Sequence, residues 1–299
     1  MDRLHLMNVF VAVAEAEGFA GGARKLQMSP PAVTRAVAAL EERLGVKLLN
    51  RTTRYVRMTE AGQKYYEDAK RIIGLADEAD NAVLGINAEP RGQLTVTAPV
   101  LFGRLYVMPG IVEYLRRYPA VEVNALFVDR VVNMLEEGAD VAVRIAELPD
   151  SSYRALRVGS VRRVLCAAPD YLDTYGIPQT PDDLLQHKII LARGLNSHNE
   201  MRFSRNGLPQ TVKLQPILSV SDNDSAAGAA TAGLGITHLL SYQIAAPLQA
   251  GKLKIVLGEF ERPPVPVHIL HREGRHSSAK IRAFVDLMAE RLRAELSLN

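Results

Sequence analysis

The chain of 299 residues has a single cysteine, Cys166, so it cannot form an intrachain disulfide. This is consistent with a reducing compartment, and the apolar run around Cys166 favours a small buried side chain over a redox sensor. No run of about 18 apolar residues, the length of a membrane-spanning helix, is present. The chain begins without the basic segment and apolar core of a secretory leader, so we expect no signal peptide and a cytoplasmic protein.

Sequence motifs of enzymes are also missing. There is no G-x-S-x-G, no Walker loop, no H-E-x-x-H and no pair of cysteines spaced for a metal. His268 and His271 are three residues apart on a predicted strand, so they face opposite sides and cannot bind one ion. We therefore predict a protein that is not an enzyme and that holds no metal and no cofactor.

The stretch 19–57 predicts two helices, a turn and a hairpin. A short helix, Phe19–Leu26, precedes a turn and a second helix, Pro30–Leu44. Two strand-like pieces follow at 47–49 and 55–57, joined by a basic loop. This order is a helix-turn-helix with a wing, a module that reads duplex DNA.

The second helix carries signals at both ends. We expect the Ser29 hydroxyl to cap it by accepting a backbone N–H, with Pro30 at the first position, where a missing N–H costs nothing. Gly45 stands where a left-handed residue ends a helix. Apolar side chains at helical spacing predict the packed face, which consists of Val33, Val37, Leu40 and Leu44.

Positive charge is concentrated in this module. Residues 24–57 carry eight basic and two acidic side chains, a net charge of +6, whereas the whole chain carries +3. A basic face on a nearly neutral protein is typical of phosphate binding, although a solvated face without a partner is the alternative.

The N-terminal residues of a recognition helix enter the major groove. There Arg35 can bind guanine O6 and N7, and Thr34 can contact a phosphate or a thymine methyl. A phosphate contact for Arg35 stays open, because most protein–DNA hydrogen bonds go to the backbone. The predicted DNA-binding residues, the last four of them in the wing, are Ser29, Pro30, Pro31, Thr34, Arg35, Arg51, Thr52, Thr53 and Arg54.

A long helix is predicted after the wing, capped by Thr59 and stopped before Pro90. Its apolar side chains alternate spacings of three and four residues, the heptad pattern of a coiled coil. A helix that lies on its own domain is the alternative, but the strict period favours pairing with a second copy. The predicted dimer seam is Tyr65, Ala69, Ile72, Ala76, Ala79, Val83 and Ile86.

Beyond a linker at 89–92, predicted strands and helices alternate in two series. The first has strands at 93–98, 121–128 and 141–145 and helices at 102–118 and 131–137. The second has strands at 162–168, 188–192, 217–220, 235–239 and 265–271, helices at 169–174, 181–185, 225–232 and 241–248, and a terminal helix at 278–296. This alternation implies mostly parallel sheets covered on both faces, in two lobes with a ligand cleft between them.

Taken together, these segments resemble the LysR-type transcriptional regulators over nearly the whole chain. The resemblance rests on the order and spacing of ARKL at 23–26, SPPAVTR at 29–35, LEERLGVKLLNRTTR at 40–54 and TEAG at 59–62. Further along, AP at 98–99, DVAVRI at 140–145 and GLGI at 233–236 are similar to the effector domain of that family.

The resemblance implies an α/β multidomain protein with an N-terminal winged helix-turn-helix, a dimerising linker helix and a two-lobed effector domain of the periplasmic-binding-protein type. We expect the DNA-binding domain at 1–58, the linker helix and hinge at 59–90, and the effector-binding domain at 91–299. One lobe is expected at about 91–160 and 268–299, the other at about 161–267. Dimers or tetramers, a small-molecule effector and RNA polymerase are the implied partners besides double-stranded DNA.

Candidate effector residues stand near the ends of predicted strands. Residues 100–102 begin a helix, and the N–H groups of a helix N-terminus suit an anion. Arg144 and Arg193 can hold a carboxylate from the two sides of the cleft, which suggests an anionic effector. The alternative for each residue is a salt bridge or a helix cap. The full set is Val100, Leu101, Phe102, Asp129, Arg144, Arg193, Asn223 and His238.

The sequence therefore predicts a sequence-specific DNA-binding transcriptional regulator. Its effector, bound between two lobes, shifts them relative to each other and rearranges the DNA-bound dimer. A solute-binding protein without catalytic or regulatory role is the alternative, which the helix-turn-helix argues against. An enzyme that uses the cleft is a further alternative, and the missing catalytic motifs argue against it.

Overall fold

The computed structural model describes residues 2–51, 56–83, 89–130, 133–148, 153–192, 199–205, 207–272 and 278–295. The chain divides into two units, Met1–Ala88 and Glu89–Asn299. Across the described ranges, no helix has both the length and the apolar character that crossing a membrane requires.

The first unit consists of helices around one small hairpin. Its elements are α1 (Arg3–Glu15), α2 (Phe19–Lys25), α3 (Pro30–Leu44), β1 (Leu49–Arg51), β2 (Val56–Met58) and α4 (Glu60–Val83). The two strands pair antiparallel. The predicted order of elements is confirmed, although β1 begins two residues later and β2 one residue later than the sequence pattern indicates.

Helix α1 lies at the centre of this unit and packs against α2, α3 and α4. Phe10 of α1 is fully buried in one apolar core with Val33, Val37 and Leu40 of α3. The predicted apolar face of α3 is therefore confirmed, and Leu44 lies at its partly buried end.

The N-terminus of α3 is not capped as predicted. The Ser29 side chain makes no capping hydrogen bond. Instead, the Ser29 carbonyl accepts the N–H groups of Ala32 and Val33 at 2.9 and 3.2 Å. Because Pro30 and Pro31 have no N–H to donate, the backbone carbonyl alone serves the first donors of the helix. At the other end, Gly45 has a φ of 68°, the left-handed conformation that the sequence predicts.

A buried carboxylate joins α3 to the hairpin. Glu41 is only 3% exposed. Its Oε1 accepts the backbone N–H groups of Leu48 and Leu49 at 3.0 and 3.1 Å, and its Oε2 accepts Lys47 Nζ at 2.7 Å. Burial by itself raises the pKa of Glu41, but the bonds from Lys47, Leu49 and Leu48 outweigh it and leave that pKa below its ordinary value.

Helix α4 begins against the same hairpin. The Thr59 hydroxyl accepts the Gly62 N–H at 2.9 Å, which confirms the predicted cap, and it donates to the Lys47 carbonyl at 2.7 Å. A Cβ on Gly62 would lie 2.0 Å from the Leu48 carbonyl oxygen. Glycine is therefore the residue that allows α4 to approach β1 this closely.

The second unit continues the numbering in chain order. Its elements are β3 (Gly92–Ala98), α5 (Val100–Phe102), α6 (Met108–Arg117), β4 (Val121–Phe127), β5 (Val141–Ile145), β6 (Tyr153–Val161), β7 (Arg163–Ala167), α7 (Pro169–Tyr175), β8 (Ile189–Ala192), β9 (Glu200–Arg205), β10 (Leu208–Lys213), β11 (Pro216–Val220), α8 (Asn223–Thr231), β12 (Ile236–Leu240), α9 (Ala245–Gln249), β13 (Lys254–Val256), β14 (Val265–Arg272) and α10 (Ala279–Ala294). A π-helical turn, Gly103–Val107, joins α5 to α6, and 3₁₀ turns lie at Pro181–Gln186, Ser241–Ile244 and Gly258–Phe260.

Two five-stranded sheets form the two lobes of this unit. The strand orders are β4-β3-β5-β14-β6 and β11-β8-β12-β7-β13. In each sheet, in that order, the first two pairings are parallel and the last two are antiparallel. The prediction of mostly parallel sheets is therefore wrong. The chain passes from one sheet to the other after β6 and returns at β14, and this return adds a strand antiparallel to both its neighbours.

Several local predictions also need correction. The described part of the helix predicted at 131–137 is a single turn, closed by a hydrogen bond from the Ala139 N–H to the Met134 carbonyl at 2.9 Å. Strands β6, β9, β10 and β13 were not predicted. Strands β9 and β10 form an antiparallel hairpin whose Met201, Phe203 and Val212 pack onto the second sheet.

Apolar side chains cover the second sheet on both faces. On one face Val164, Cys166 and Leu239 pack with α8. On the other, Leu165 and Ile236 pack with the β9–β10 hairpin. Burial raises the pKa of Cys166 to about 12, so the interpretation of this cysteine as a small buried side chain is confirmed.

We predict that Glu41→Gln lowers the free energy of unfolding at neutral pH by about 1–3 kcal/mol, because the amide cannot accept all three donors. The folded pKa lies below the ordinary 4.5, so the carboxylate contributes stability above that pH and loses it as the pH falls through the folded value. The difference from the wild-type chain should therefore shrink in acid. Urea unfolding followed by circular dichroism measures it.

The matched control is Glu42→Gln, the exposed neighbour on the same helix. It should change the free energy of unfolding by less than about 0.5 kcal/mol. Equal effects of the two substitutions at neutral pH would contradict the role assigned to the buried carboxylate.

Candidate DNA-binding surface and effector site

The N-terminal end of α3 lies at the surface of the first unit. Ser29, Pro30, Pro31 and Arg35 are exposed, as a DNA-contacting end requires. Thr34 is half-buried, and its hydroxyl donates to the Pro30 carbonyl at 3.0 Å. Thr34 can therefore offer an oxygen acceptor and a methyl group to DNA, while its hydroxyl proton is already used within the helix.

The positive charge of this unit is only partly neutralised. Lys25 pairs with Glu15 at 2.6 Å and Lys47 with Glu41 at 2.7 Å. Five exposed arginines form no ion pair or hydrogen bond within the described ranges, and these are Arg3, Arg24, Arg35, Arg43 and Arg57. Arginine rather than lysine thus supplies the uncompensated charge, with a planar donor group that fits phosphate and guanine.

Most of the wing lies outside the described residues. Arg51 ends β1, but its side chain is not described, and Thr52, Thr53 and Arg54 fall outside the described ranges. Their DNA contacts stay predictions.

The seam predicted on α4 divides into two parts. Ala69 is fully buried, and Tyr65 packs edge-to-face on Phe10 of α1 with 5.7 Å between ring centroids. Ala69 as a dimer contact is therefore wrong, because the core of its own unit already covers it. Tyr65 is only partly buried, and its seam contact stays a prediction.

Further along the helix the apolar stripe is uncovered. Ile72 is 39% and Leu75 57% exposed, and Ala76 is half-buried. Ala79 and Val83 lie within α4 without described side chains, and Ile86 lies outside the described residues. Leu75 was not predicted as a seam residue, although it stands three residues after Ile72.

In the second unit, α5 begins beside a carboxylate. The Val100 N–H donates to Asp129 Oδ1 at 3.0 Å. The expectation that this N–H donates to an anionic ligand is therefore wrong. It already donates to the Asp129 carboxylate, whose negative charge would repel an anion there. Leu101 is half-buried, and Phe102 is fully buried in the core of the first sheet.

The two lobes meet close to this point. Arg104, in the π-helical turn, lies 3.7 Å from the Asp224 carboxylate at the start of α8. The Tyr242 ring packs edge-to-face on Phe102 and Tyr106, with centroids 5.3 and 6.0 Å apart. Burial raises the pKa of Tyr242, and the charges of Asp129 and Asp224 raise it further. Val100, Asp129, Asn223 and Tyr242 therefore border the same junction between the lobes.

The N-terminus of α8 is capped within the chain. Asp222 Oδ1 accepts the Ser225 N–H at 2.7 Å, so Asp222 is the N-cap of α8. Asn223 is half-buried as the first residue of α8, so its amide stays a candidate effector contact.

Arg144, on β5, is the candidate with an unmet hydrogen-bonding need. Its Nη2 atom is buried and bonds to no described residue, and the same holds for Nδ1 of His268, its cross-strand partner. Burial lowers the pKa of Arg144, and the charge of nearby Arg130 lowers it further. A guanidinium with one buried N–H group that bonds to no described residue is a suitable partner for a carboxylate. Arg193, proposed for the other side, lies outside the described residues.

His238 does not belong to this junction. Side chains alternate along β12, so His238 points to the face that carries the β9–β10 hairpin, away from α8. There it lines a separate cavity with Arg163 and Arg262. Burial, followed by the charges of these two arginines, lowers the pKa of His238 to about 4. Its prediction as an interlobe effector contact is wrong, because the strand parity places it on the other face.

The interlobe residues missed from the sequence are Arg104 and Tyr242. Asp224 stands next to Asn223, at the helix start where the strand-end argument places candidates. Arg104 lies in a π-helical turn and Tyr242 in a 3₁₀ turn, and the spacing of apolar residues in the sequence does not predict such turns.

Comparisons with known proteins place both units in one family. Residues 4–63 match the sequence model of the bacterial regulatory helix-turn-helix protein, lysR family, and residues 87–293 match that of the LysR substrate binding domain. An uncharacterised HTH-type transcriptional regulator of Haemophilus influenzae is 32% identical over 94% of this chain and 98% of its own. The HTH-type transcriptional activator AaeR of Escherichia coli is 30% identical over 97% of this chain and 94% of its own.

A solved structure shows the same architecture. CrgA from Neisseria meningitidis, a LysR-type transcriptional regulator, has a TM-score of 0.61 at 29% identity and covers 96% of this chain and 98% of its own. The helix-turn-helix, the two-lobed α/β unit and these matches together show that the chain belongs to the LysR-type transcriptional regulators, with a DNA-binding and an effector-binding domain.

Proposed function

We propose that this regulator reads its operator through the exposed end of α3, with Arg35 bound to a base edge, and that the exposed stripe of α4 pairs two copies. The observation that carries this proposal is the free, exposed guanidinium of Arg35 on the first turns of a helix buried along its opposite face. Ser29, Pro30, Pro31 and Thr34 border it, and the wing residues Arg51–Arg54 follow the phosphates.

The division of the chain follows from this proposal. Residues 1–58 bind DNA, 59–90 pair two copies, and 91–299 bind the effector. The protein acts in the cytoplasm, where its DNA lies, has no catalytic role, and recruits or blocks RNA polymerase from its bound site. Dimers, and tetramers built from them, place recognition helices on successive turns of DNA.

We further propose that the effector is a small organic acid held at the lobe junction. Arg144 supplies the positive charge, since its buried Nη2 has no described partner. Asn223 adds an amide from the second lobe, and Val100 and Leu101 form an apolar wall. Phe102, predicted as a contact, lies in the core behind them and does not reach the ligand. Because the Asp129 carboxylate lies at the same junction, the acid group binds toward Arg144 rather than toward the start of α5.

The base contact is tested with a duplex selected from a random pool by the full-length protein. Arg35→Gln should reduce affinity for the selected duplex by about 1–3 kcal/mol and leave affinity for random duplex much closer to that of the wild-type chain. Fluorescence anisotropy at several salt concentrations measures both affinities.

Arg43→Gln, at the other end of the same helix, is the matched control. This substitution should reduce the affinity for the selected and the random duplex equally, or change neither affinity. A loss for Arg35→Gln that is equal for the two duplexes would show a phosphate contact and contradict base reading.

The seam is tested by charge insertion. Ile72→Asp combined with Leu75→Asp should convert oligomers to monomers, because two apolar side chains of each helix would become buried carboxylates in a paired seam. Sedimentation velocity measures the mass. Glu67→Asp on the exposed face of α4 controls for the helix, and an unchanged mass of the double variant would refute pairing through this stripe.

The effector site is tested with a panel of small mono- and dicarboxylates in thermal unfolding of the full-length protein. A ligand at about 100 times its Kd adds roughly 2.7 kcal/mol of stability, a clear shift. Arg144→Gln should weaken the active acid at least tenfold, by about 1.4 kcal/mol or more. Arg116→Gln, exposed on α6 without a described partner, should not. Equal affinity of wild-type and Arg144→Gln chains would contradict the assignment.

A further inference from the structure

The register of three strands brings basic side chains into one row on the first sheet. Arg144 of β5 and Arg157 of β6 both lie opposite His268 of β14, the strand between them. Neighbouring strands are about 4.8 Å apart, so the backbones of the two arginines are separated by about 10 Å. Two long side chains across that separation can reach one small molecule that lies over His268.

All three side chains point to the face of the first sheet that is turned away from α10. Ile269, next to His268, packs in the core that α10 covers. Because side chains alternate along a strand, His268 points to the opposite face, as does Leu270. Tyr153 packs in the same cluster as Leu270, and Arg157 follows it by four residues on β6, so Arg157 shares that face.

Several polar atoms on this face lack a partner. The Nη2 atom of Arg144 and the Nδ1 atom of His268 are buried and bond to no described residue. A third such atom is Oγ1 of Thr97 on β3, whose cross-strand partner Ala142 lies on the same face. Buried polar atoms are normally hydrogen-bonded, so three of them on one face indicate a site for a polar ligand.

The positive charge of the row is also uncompensated. Arg157 is exposed, and within the described ranges neither Arg144 nor Arg157 forms a hydrogen bond or an ion pair. Burial lowers the pKa of Arg144, and the charge of Arg130 lowers it further, while Arg130 itself pairs with Glu137. Like charges on neighbouring strands repel, so an anion with one charge for each of the two arginines would stabilise this arrangement.

We propose that the effector is a small dicarboxylate, with one acid group on Arg144 and the second on Arg157. This inference rests on the proposed function, because it keeps the first acid group on Arg144. His268 lies between the two arginines and donates from Nδ1 to a carboxylate oxygen. Planar guanidinium groups bind carboxylates through two parallel hydrogen bonds, which fixes the direction of each acid group.

Arg157 is therefore the residue that selects two acid groups over one. A monocarboxylate compensates Arg144 and leaves Arg157 without a partner. A dicarboxylate compensates both arginines, provided that its chain spans the distance that the strand register sets between them. Affinity should thus depend on the second charge and on the number of carbon atoms between the two acid groups.

The test is isothermal titration calorimetry of the full-length protein without DNA. The probes are malonate, succinate, glutarate and adipate, each with its half-amide as the singly charged match of equal length. At least one dicarboxylate should bind at least about tenfold more tightly than its half-amide. Arg157→Gln should lower the affinity for this dicarboxylate to that of the half-amide and leave the half-amide unchanged, whereas Arg144→Gln should weaken both.

The matched control is Arg154→Gln, which removes the same charge from the same strand. Arg154 lies opposite His271, three residues before Arg157, so its side chain points to the other face of the sheet. This variant should leave both affinities unchanged. An equal loss for Arg154→Gln and Arg157→Gln would show that overall charge attracts the ligand and would refute the row as its site. Thermal unfolding of each variant without ligand shows that lost binding is not lost folding.

The position over His268 is tested by two substitutions. His268→Asn keeps an amide N–H near the position of Nδ1, whereas His268→Leu removes the donor. The asparagine variant should therefore bind the dicarboxylate at least about tenfold more tightly than the leucine variant. Equal affinities of the two variants would refute a ligand that lies over His268.

Failure of this inference differs from failure of the proposed function. If each dicarboxylate and its half-amide bind equally and Arg144→Gln weakens both, the second acid group is refuted and the single-acid effector site stands. Binding that Arg144→Gln leaves unchanged, or no binding of any of these acids, would refute both. Equal affinity for inorganic phosphate would show that one compact anion suffices, and would refute separate acid groups on the two arginines.

Discussion

The DNA-reading surface depends on one buried carboxylate. Glu41 accepts the N–H groups of Leu48 and Leu49, which lie in the core and have no water to replace it. Unpaired, each buried donor would cost about 1–3 kcal/mol. Helix α4 contacts the same segment, because Gly62 lies close to the Leu48 carbonyl and Thr59 donates to the Lys47 carbonyl. The hairpin and α4 are therefore both positioned by the contact with Glu41 of α3. Because Arg35 is on the same helix, this contact fixes the position of β1 relative to the exposed end of α3.

Within the second unit the strong and weak contacts are unevenly placed. Arg162 and Glu261 form a two-pronged ion pair where the chain passes between the sheets. The Arg162 N–H also donates to Ser241 Oγ, and the Arg162 carbonyl accepts the Ser241 N–H. At the ligand-facing junction the ion pair of Arg104 and Asp224 spans 3.7 Å between two exposed side chains, a kind of pair worth at most about 1 kcal/mol. A ligand at the junction would therefore have only this weak ion pair to displace. The connecting segments, with their stronger contacts, hold the lobes together.

The elements that the sequence predicts well are those with a strong local signal. The spacing of Val33, Val37 and Leu40 gives α3 its buried face, and Thr59 and Gly45 mark helix ends by local chemistry. The failures have non-local causes. Ala69 fits a heptad, but a heptad does not reveal that the core of its own unit already covers it. Strand parity assigns His238 to a face only once the neighbours of β12 are known. The mixed sheets result from the return of the chain to the first sheet in β14, and the periodicity of the sequence does not indicate where that strand inserts.

The arrangement of charges determines what each ligand can do. Most exposed arginines of the first unit form no ion pair with a described residue, whereas Arg144 is partly enclosed and its Nη2, which bonds to no described residue, is buried. A charge shielded from water interacts more strongly with an opposite charge than an exposed one does. If the proposed acid has different affinities for two lobe arrangements, only that difference can be transmitted to the operator. Coupling between binding equilibria is reciprocal, so in that case the bound operator changes the affinity for the acid by the same factor.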